Sequence, residues 1–316
     1  MNELYSISPD ACESSREINY VLQTFGPQAG RYVVGLPQRD SWCMSVLESH
    51  ADLRDIERQR LSRTLHLARI RGAVIDQGQF AWQRERPWIE NAQKFWGNKE
   101  NHQKIYLSDQ EFDAIEEQGT KALAYFAKVS EVGDSSSNHL TTPCDAESYW
   151  RLMEVLCSIS SELHFVDPYF DPLKRDRRPV FEKILKELSG KSHIRRIVFW
   201  SRYSEVMKGS NHSENGINKD AITSIIRFHF RKSAKPVVVA LNFLEDEMSA
   251  EKLHARYLVT NRGGIIFDQG FQMLSDGKRA HVYAMGTSVR EDQFSKLSKG
   301  LADMPVREEI IFNSKS

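Results

Sequence analysis

The feature that most constrains the fold is the order of short apolar runs after residue 145. Strands of the buried type alternate with amphipathic helices there, and a run of further strands follows. The strand candidates are residues 163–166, 194–200, 237–241, 253–261, 265–267, 281–285 and 310–312. Strand–helix–strand order favours parallel pairing, and the later strands add antiparallel pairs. The pattern therefore predicts an α/β fold, a mixed sheet flanked by helices, over residues 148–316.

Residues 130–147 are the clearest break in the chain. Ser, Gly, Asn, Thr and Pro dominate this segment, and no apolar period continues through it. We interpret it as an interdomain linker or a long surface loop. The residues before it, 1–129, have a strongly helical pattern over 41–71. They predict a mainly helical α+β domain with a recognition or docking role.

Composition narrows the classes of partner and location. The 43 basic and 43 acidic residues cancel, so only a local patch could attract nucleic acid or an anionic membrane. The four cysteines form no CxxC pair or zinc-spaced cluster, which favours a reduced, cytoplasmic location. No signal peptide is recognisable, and no apolar run approaches the ~20 residues of a membrane-spanning helix. We therefore expect no membrane partner, no metal and no other cofactor.

Residues 253–264 contain the candidate site. They predict a strand that runs into a tight turn at Gly263-Gly264. Residues two apart on a strand share a face, so His254 and Arg256 are expected to point the same way. Such a pair can hold a phosphate. Alternatively, a backbone carbonyl satisfies His254, and Arg256 forms an ion pair with an acid.

Further candidates for phosphate binding follow the predicted strands. Asp167 ends a strand, where open α/β sheets place ligands, although an Asp before Pro also commonly begins a turn. Arg202 and Tyr203 follow the next strand and could lie beside it. Lys174 and Arg175 belong to a basic loop. That loop would grip a phosphate backbone if it lies beside the His/Arg pair, and is otherwise a solvated loop.

Two of these segments resemble parts of the phospholipase D superfamily. One is the strand that ends in Asp167-Pro168-Tyr169-Phe170, and the other is His254-x-Arg256 with its turn and Gly270-Phe271-Gln272. Active members carry H-x-K-x4-D and a later Gly-Ser-x-Asn segment. The resemblance covers roughly residues 148–312. It implies that His254 is the nucleophile, that Arg256 binds the phosphoryl oxygens, and that a second copy supplies the acid.

The chain departs from the active pattern at three places. Arg256 replaces Lys, Asn261 replaces Asp, and Gly270-Phe271-Gln272 replaces Gly-Ser-x-Asn. Arg still binds phosphate, and bidentately. Loss of the carboxylate matters more, because a carboxylate best fixes the tautomer and orientation of a nucleophilic His. Asp268, in the neighbouring strand, is the candidate substitute.

The strand end Asp167-Pro168-Tyr169, the His254-x-Arg256 pair and the later Gly270 are together similar to the phospholipase-D-like C-terminal domain of MIT-domain proteins. That branch is associated with binding lipids or proteins and with dimerisation. The variant is also associated with bacterial proteins, some near phage-defence genes. The resemblance thus implies a degenerate homodimer that binds nucleic-acid backbone or partner proteins in a bacterial, antiviral assembly. Two alternatives stay open: a metal-independent phosphodiesterase or nuclease that uses His254, and a membrane-lipid-binding module.

Overall fold

The computed structural model divides into two compact units, Met1–Asn138 and His139–Ser316. It describes residues 3–11, 18, 22, 24–27, 30–76, 81–96, 103–106, 124–126, 139–208, 212, 216–233, 235–245, 253–275, 277–301 and 304–315. Of residues 3, 103–106 and 124–126, the backbone alone is described. The first part of the predicted linker, 130–138, lies outside these residues. The second part contains a strand, so residues 139–147 belong to the fold of the second unit.

The first unit contains a parallel five-stranded sheet in the order β3-β2-β1-β4-β5. Its strands are β1 Glu3–Ile7, β2 Arg31–Val34, β3 Val74–Ile75, β4 Gln103–Tyr106 and β5 Ala124–Phe126. Its helices are α1 Arg39–Ser49, α2 Asp55–Ile70 and α3 Trp88–Trp96. A mainly helical α+β domain was expected for this part of the chain, without this parallel sheet. Strands β1, β2 and β3 are short, and their described side chains are buried on both faces. Such strands show no polar–apolar alternation, so the sequence pattern did not reveal the sheet.

Helices α1 and α2 occupy the segment with the helical sequence pattern. Leu61, Leu65 and Ala68 form the buried stripe of α2, with the spacing of one helix face. In α1, Trp42 is buried and its indole N–H donates to Ile7 O at 2.6 Å. The core of this unit therefore lies between these helices and β1.

The second unit contains an eight-stranded mixed sheet in the order β13-β9-β8-β7-β10-β11-β12-β6. Its strands are β6 His139–Pro143, β7 Glu162–Val166, β8 Arg196–Arg202, β9 Val238–Leu244, β10 Tyr257–Thr260, β11 Gly264–Phe267, β12 Arg279–Ala284 and β13 Val306–Asn313. Its helices are α4 Ala146–Ile159, α5 Arg178–Ser189, α6 Tyr203–Met207, α7 Lys219–Phe230 and α8 Thr287–Lys299. Strands β7, β8 and β9 are parallel, and the other pairings are antiparallel. The predicted α/β fold with a mixed sheet flanked by helices is confirmed.

Helices cover both faces of this sheet. On one face, Phe181 of α5 packs on Phe199 of β8, with ring centroids 5.1 Å apart. On the other face, Leu297 of α8 shares a core cluster with Val198 and Trp200, the strand neighbours of Phe199. Both faces of the central strands are therefore buried, which explains their nearly continuous apolar sequences.

The order in which the chain adds strands to the sheet reverses at β7. From β7 the chain moves through β8 to β9 on one side, and β10, β11 and β12 lie on the other side. Val166, the last residue of β7, pairs with Trp200 of β8 and with Tyr257, the first residue of β10. Ligands of open α/β sheets bind outside the carboxyl ends of strands at such a switch point. We call this end of the sheet the β7/β10 edge.

Strand β10 is shorter than the predicted strand 253–261. Residues 253–256 lie before the strand, and all four residues of β10 are buried. The turn to β11 is as predicted: Thr260 N donates to Gly263 O at 2.9 Å, and the hydroxyl of Thr260 accepts from Gly263 N at 3.0 Å. His254 and Arg256 therefore lie in the loop before β10, and strand alternation does not set the directions of their side chains.

Candidate functional site

The topology brings the predicted site residues to the β7/β10 edge. Asp167 directly follows β7, Arg202 ends β8, and Tyr203 begins α6. His254 and Arg256 directly precede β10. Because β10 runs antiparallel to β7, its start lies at the edge where β7 ends. One end of the sheet thus collects residues from three separate parts of the chain.

Asp167 joins two loops at this edge. One carboxylate oxygen accepts from Tyr169 N at 3.0 Å, and the other accepts from Phe271 N at 3.0 Å. The residue is 2% exposed. Burial raises the pKa of the Asp167 carboxyl, opposed by the two amide hydrogen bonds and by the guanidinium groups of Arg177 and Arg256. The Asp-Pro turn and the organisation of the site therefore depend on the same carboxylate.

Arg256 is held by three contacts. Its Nη1 donates to Asp268 O at 2.8 Å, and its Nε lies 3.8 Å from Oδ1 of Asp167. Its guanidinium lies 5.1 Å from the ring centroid of Tyr169. The side chain remains 29% exposed. Arg256 is thus fixed in place and still reaches solvent, which reduces the conformational entropy lost when it binds an anion.

His254 lies in a different environment. The residue is exposed, and within the described parts of the chain no hydrogen bond to its imidazole is formed. Asn261, compared above with the Asp of the H-x-K-x4-D pattern, directly follows the last residue of the four-residue β10. The carboxylate of Asp268 accepts from His281 N at 2.8 Å and from Gln269 Nε2 at 3.4 Å. Neither candidate partner orients the His254 ring.

Gly270 is required by the close approach of Asp167 and Arg256. Its φ is +71°, in the left-handed region that favours glycine. A Cβ at this position would overlap Oδ2 of Asp167 and would lie 2.7 Å from Cδ of Arg256. The sequence showed this glycine only as part of a family-like segment, and the contact that requires it is visible only in three dimensions.

Within the basic loop, the side chains differ in their environments. Arg177 is 7% exposed; its Nη1 donates to Asp176 at 2.8 Å and its Nη2 donates to Gln272 Oε1 at 3.1 Å. Lys174 and Arg175 are exposed, and no ion pair of theirs is formed with the described residues. Arg177 therefore fastens the loop to the segment after β11, and the two exposed cations remain available to a ligand. From the sequence, Lys174 and Arg175 were expected in a loop that is either solvated or in contact with a phosphate backbone.

Arg202 and Tyr203 lie at the same edge on the side of β8. The Arg202 side chain is 10% exposed, and its Nη1 lies 3.8 Å from Glu205 Oε1. Tyr203 stacks under Arg307, whose guanidinium carbon is 4.0 Å from the ring centroid. Burial raises the pKa of the Tyr203 hydroxyl, and the charge of Glu308 acts in the same direction. These two residues are consequently less accessible than Lys174 and Arg175.

A buried pair at this edge, His212 and Asp171, was missed by sequence reasoning. His212 Nε2 lies 3.1 Å from Oδ1 of Asp171, and both side chains are almost fully buried. Asn218 N donates to His212 Nδ1 at 3.2 Å. The pair connects the loop after β7 to the N-terminus of α7. The two residues are far apart in the sequence, and no local motif indicated their contact.

The described residues contain neither a candidate metal site nor a membrane-spanning helix. Among the residues with described positions, no group of three or more His, Cys, Asp or Glu side chains could hold a metal ion. No helix in the same part of the chain is long and apolar enough to cross a membrane.

Together, the fold and this edge define an α/β unit with a cluster of cationic side chains at its switch point. Neither a family model nor a curated protein sequence matches the chain. One similar solved structure is Nuc, a phospholipase D family member from Salmonella typhimurium, at 8% identity and a TM-score of 0.32, covering 54% of this chain and 96% of that chain. Another is TrmBL2, an archaeal chromatin protein with a novel mode of DNA binding, at 10% identity and a TM-score of 0.29, covering 82% of this chain and 87% of that chain. Both TM-scores are low, so neither similarity supports an argument about function.

Proposed function

We propose that the β7/β10 edge binds the phosphodiester backbone of a nucleic acid and that the site is catalytically degenerate. The observation that carries this proposal is the state of Arg256. Its guanidinium is held by Asp268 O, Asp167 and the ring of Tyr169, and its side chain is 29% exposed. A fixed, partly exposed guanidinium is suited to bidentate recognition of a phosphate.

The exposed cations of the neighbouring loop extend this binding site. Lys174 and Arg175 lie in the loop that follows Asp167 and have no carboxylate partner among the described side chains. They would contact further phosphates along the backbone. Asp167 acts as a positioning residue, because its buried carboxylate holds Arg256 and the Phe271 amide and is not exposed to a ligand.

Catalytic degeneracy follows from the surroundings of His254. A nucleophilic His needs a partner that fixes its tautomer and a proton donor for the leaving group. Within the described residues, no carboxylate contacts His254, and Asp268 is engaged by His281 N and Gln269. The imidazole would then contribute a hydrogen bond to a bound phosphate and no covalent step.

Replacement of the two exposed loop cations is expected to weaken binding and its salt dependence together. For K174Q/R175Q, loss of two phosphate contacts should lower the slope of log K against log salt by about 1.8 on duplex DNA. Fluorescence anisotropy with a labelled duplex, across about 50–200 mM salt, measures both quantities.

The matched control is K296Q/K299Q, which removes two exposed cations from α8, on one face of the sheet and away from the loop. This control should have the same binding affinity and the same salt slope as the wild type. A salt-independent signal, or no binding by the wild-type protein, would contradict nucleic-acid binding and leave a protein-partner role.

The exposed imidazole favours a second candidate function, a metal-independent phosphodiesterase. With His254 unobstructed by described side chains, its ring nitrogen could attack phosphorus while the P–O bond to the leaving group breaks. The leaving oxygen would take its proton from an acid of a second copy, and water would then release the phosphoryl group from the histidine.

We expect wild-type protein and His254→Ala to leave labelled DNA and RNA equally intact in the presence of EDTA. The reason is that the described residues supply no orienting carboxylate to His254. Gel analysis of the products measures this. Cleavage by the wild type that disappears in His254→Ala would contradict degeneracy and establish the second candidate.

The setting implied by the family resemblance is also part of the proposal. It comprises a homodimer or a partner protein in a cytoplasmic, bacterial, antiviral assembly, with residues 1–129 serving for recognition or docking. Light scattering during size-exclusion chromatography tests the dimer, since the molar mass of a homodimer is twice that of the chain. Flotation with anionic vesicles tests the membrane-lipid alternative, for which no described residue provides specific support.

A further inference from the structure

A set of cations lies at the end of the sheet opposite to the β7/β10 edge. Glu162, Arg196 and Val238 pair in register near the starts of β7, β8 and β9, so these strands begin at one edge. Helix α5 ends before β8 and α7 ends before β9, which brings both helix C-termini to that edge. We call its exposed or half-buried cations the basic edge: Lys191, Arg195, Arg227, Arg231, Lys232 and Lys235.

The basic edge carries an excess of positive charge. Within the described residues, none of its members forms an ion pair. The carboxylates of the neighbouring α5 are already paired: Glu182 with Arg178 at 2.8 Å, and Glu187 with Lys183 at 2.9 Å. Lys183 also pairs with Glu147 of α4 at 2.6 Å. Because the whole chain has a net charge of zero, this local excess comes from the arrangement of the fold.

His193 shows that cations from two segments of the basic edge lie near each other. Its Nε2 lies 3.0 Å from Cys157 O, so the ring is fixed beside the end of α4. Burial lowers the pKa of His193, opposed by the hydrogen bond to Cys157, and the charges of Lys191 and Lys235 lower it further. Lys191 precedes β8 and Lys235 precedes β9, so cations from both loops lie close enough to His193 to affect its charge.

An exposed aromatic ring lies within this surface. Phe228 of α7 is 62% exposed, and the guanidinium carbon of Arg231 is 5.0 Å from its ring centroid. Arg227 and Arg231 are four residues apart and share one side of the helix end, and Lys232 directly follows Arg231. Cations in a last helical turn are favoured by the helix dipole, and single exposed apolar residues are common. Neither effect accounts for the cations contributed by the loops before β8 and β9.

We propose that the basic edge is a second nucleic-acid site, which takes a single strand with Phe228 stacked on a base and the surrounding cations on phosphates. An exposed aromatic face among cations is the arrangement used by proteins that bind single strands without sequence preference. A duplex offers phosphates and no free base face, so the aromatic contribution is specific to a single strand. The inference shares its class of ligand with the proposed function, and it concerns different residues at the other end of the sheet.

Three variants of the full-length protein test the ring and the cations separately. Phe228→Ala should lower the affinity for a labelled oligo-dT by about fivefold or more and leave duplex affinity unchanged. Phe228→Leu keeps apolar surface and has no aromatic face, so it should lose as much affinity as Phe228→Ala. R231Q/K232Q should lower the salt slope on oligo-dT by about 1.4.

The control K296Q/K299Q removes the same charge from the last turn of another helix, and it should match the wild type. Equal effects of this control and R231Q/K232Q, or full affinity of Phe228→Leu, would overturn the inference. Binding to anionic vesicles with no affinity for oligo-dT would overturn it too, since the surface would then take a membrane.

Measuring K174Q/R175Q in parallel separates this inference from the proposed function. If only K174Q/R175Q weakens binding, the β7/β10 edge is the sole site and the second site is excluded. If only R231Q/K232Q and Phe228→Ala weaken it, the second site stands and the proposed function of the β7/β10 edge fails. If K174Q/R175Q and the variants of the basic edge all lose affinity, both sites are supported.

Discussion

Gly270→Ala is expected to destabilise the second unit by about 2–4 kcal/mol. The backbone contributes roughly 1 kcal/mol of this, because φ at Gly270 is +71°. Steric overlap contributes the rest, since the new methyl would collide with Oδ2 of Asp167 and lie 2.7 Å from Cδ of Arg256. Chemical unfolding followed by circular dichroism and tryptophan fluorescence measures the loss.

Gly277→Ala is the matched control for this substitution. Gly277 has a φ of +68°, and nothing lies within 4 Å of the position of its Cβ. The control therefore carries the backbone cost without the collision, roughly 1 kcal/mol. If the two variants lose the same stability, the close approach of Asp167 and Arg256 to Gly270 is not what requires a glycine there.

Asp167→Ala is expected to cost about 2–5 kcal/mol of folding free energy, because two buried amide donors lose their acceptor. The donors are Tyr169 N and Phe271 N, and the guanidinium of Arg256 loses a nearby carboxylate as well. Asp167→Asn keeps one acceptor and presents an N–H group to the other donor, so its cost should be intermediate. The same unfolding experiment measures all variants.

Asp268→Ala provides the comparison. The Asp268 carboxylate accepts from one backbone amide, His281 N, and the residue is half-buried, so the expected loss is about 1 kcal/mol. An equal loss in Asp268→Ala and Asp167→Ala would contradict the central place assigned to Asp167.

A double-mutant cycle distinguishes a positioning role from direct ligand contact. If Asp167 acts through Arg256, Asp167→Asn weakens nucleic-acid binding in the wild-type background and has no further effect in Arg256→Gln. If the carboxyl group contacts the ligand directly, the two losses add. The positions are coupled in the structure by the 3.8 Å distance between Arg256 Nε and Asp167 Oδ1.

Much of the second unit could be predicted from the sequence because its elements have strong local signals. The N-cap of α4 is Asp145, whose side chain accepts from Ser148 N at 2.8 Å, and Pro179 lies in the first turn of α5. The Gly263-Gly264 turn closes the expected hairpin between β10 and β11. These features depend on residues close together in the chain, which sequence patterns report directly.

The remaining features depend on contacts between distant residues. The parallel sheet of the first unit consists of short strands without alternation, and the start of β10 depends on pairing with β7. The burial of Arg177 depends on Gln272, and His212 meets Asp171 only in the folded chain. No local periodicity or motif contains this information.

The sequence by itself determined which residue types reach the β7/β10 edge. Asp167, Arg202 and Arg256 are next to the end or the start of a strand, and the order of elements restricts how those strands can be arranged. Only the tertiary structure decided what each side chain can do there. The buried carboxylate of Asp167 is engaged by backbone amides, and Arg256 is held with part of its side chain in solvent. His254 has no partner among the described residues. These contacts depend on distances between segments far apart in the chain, which residue order does not specify.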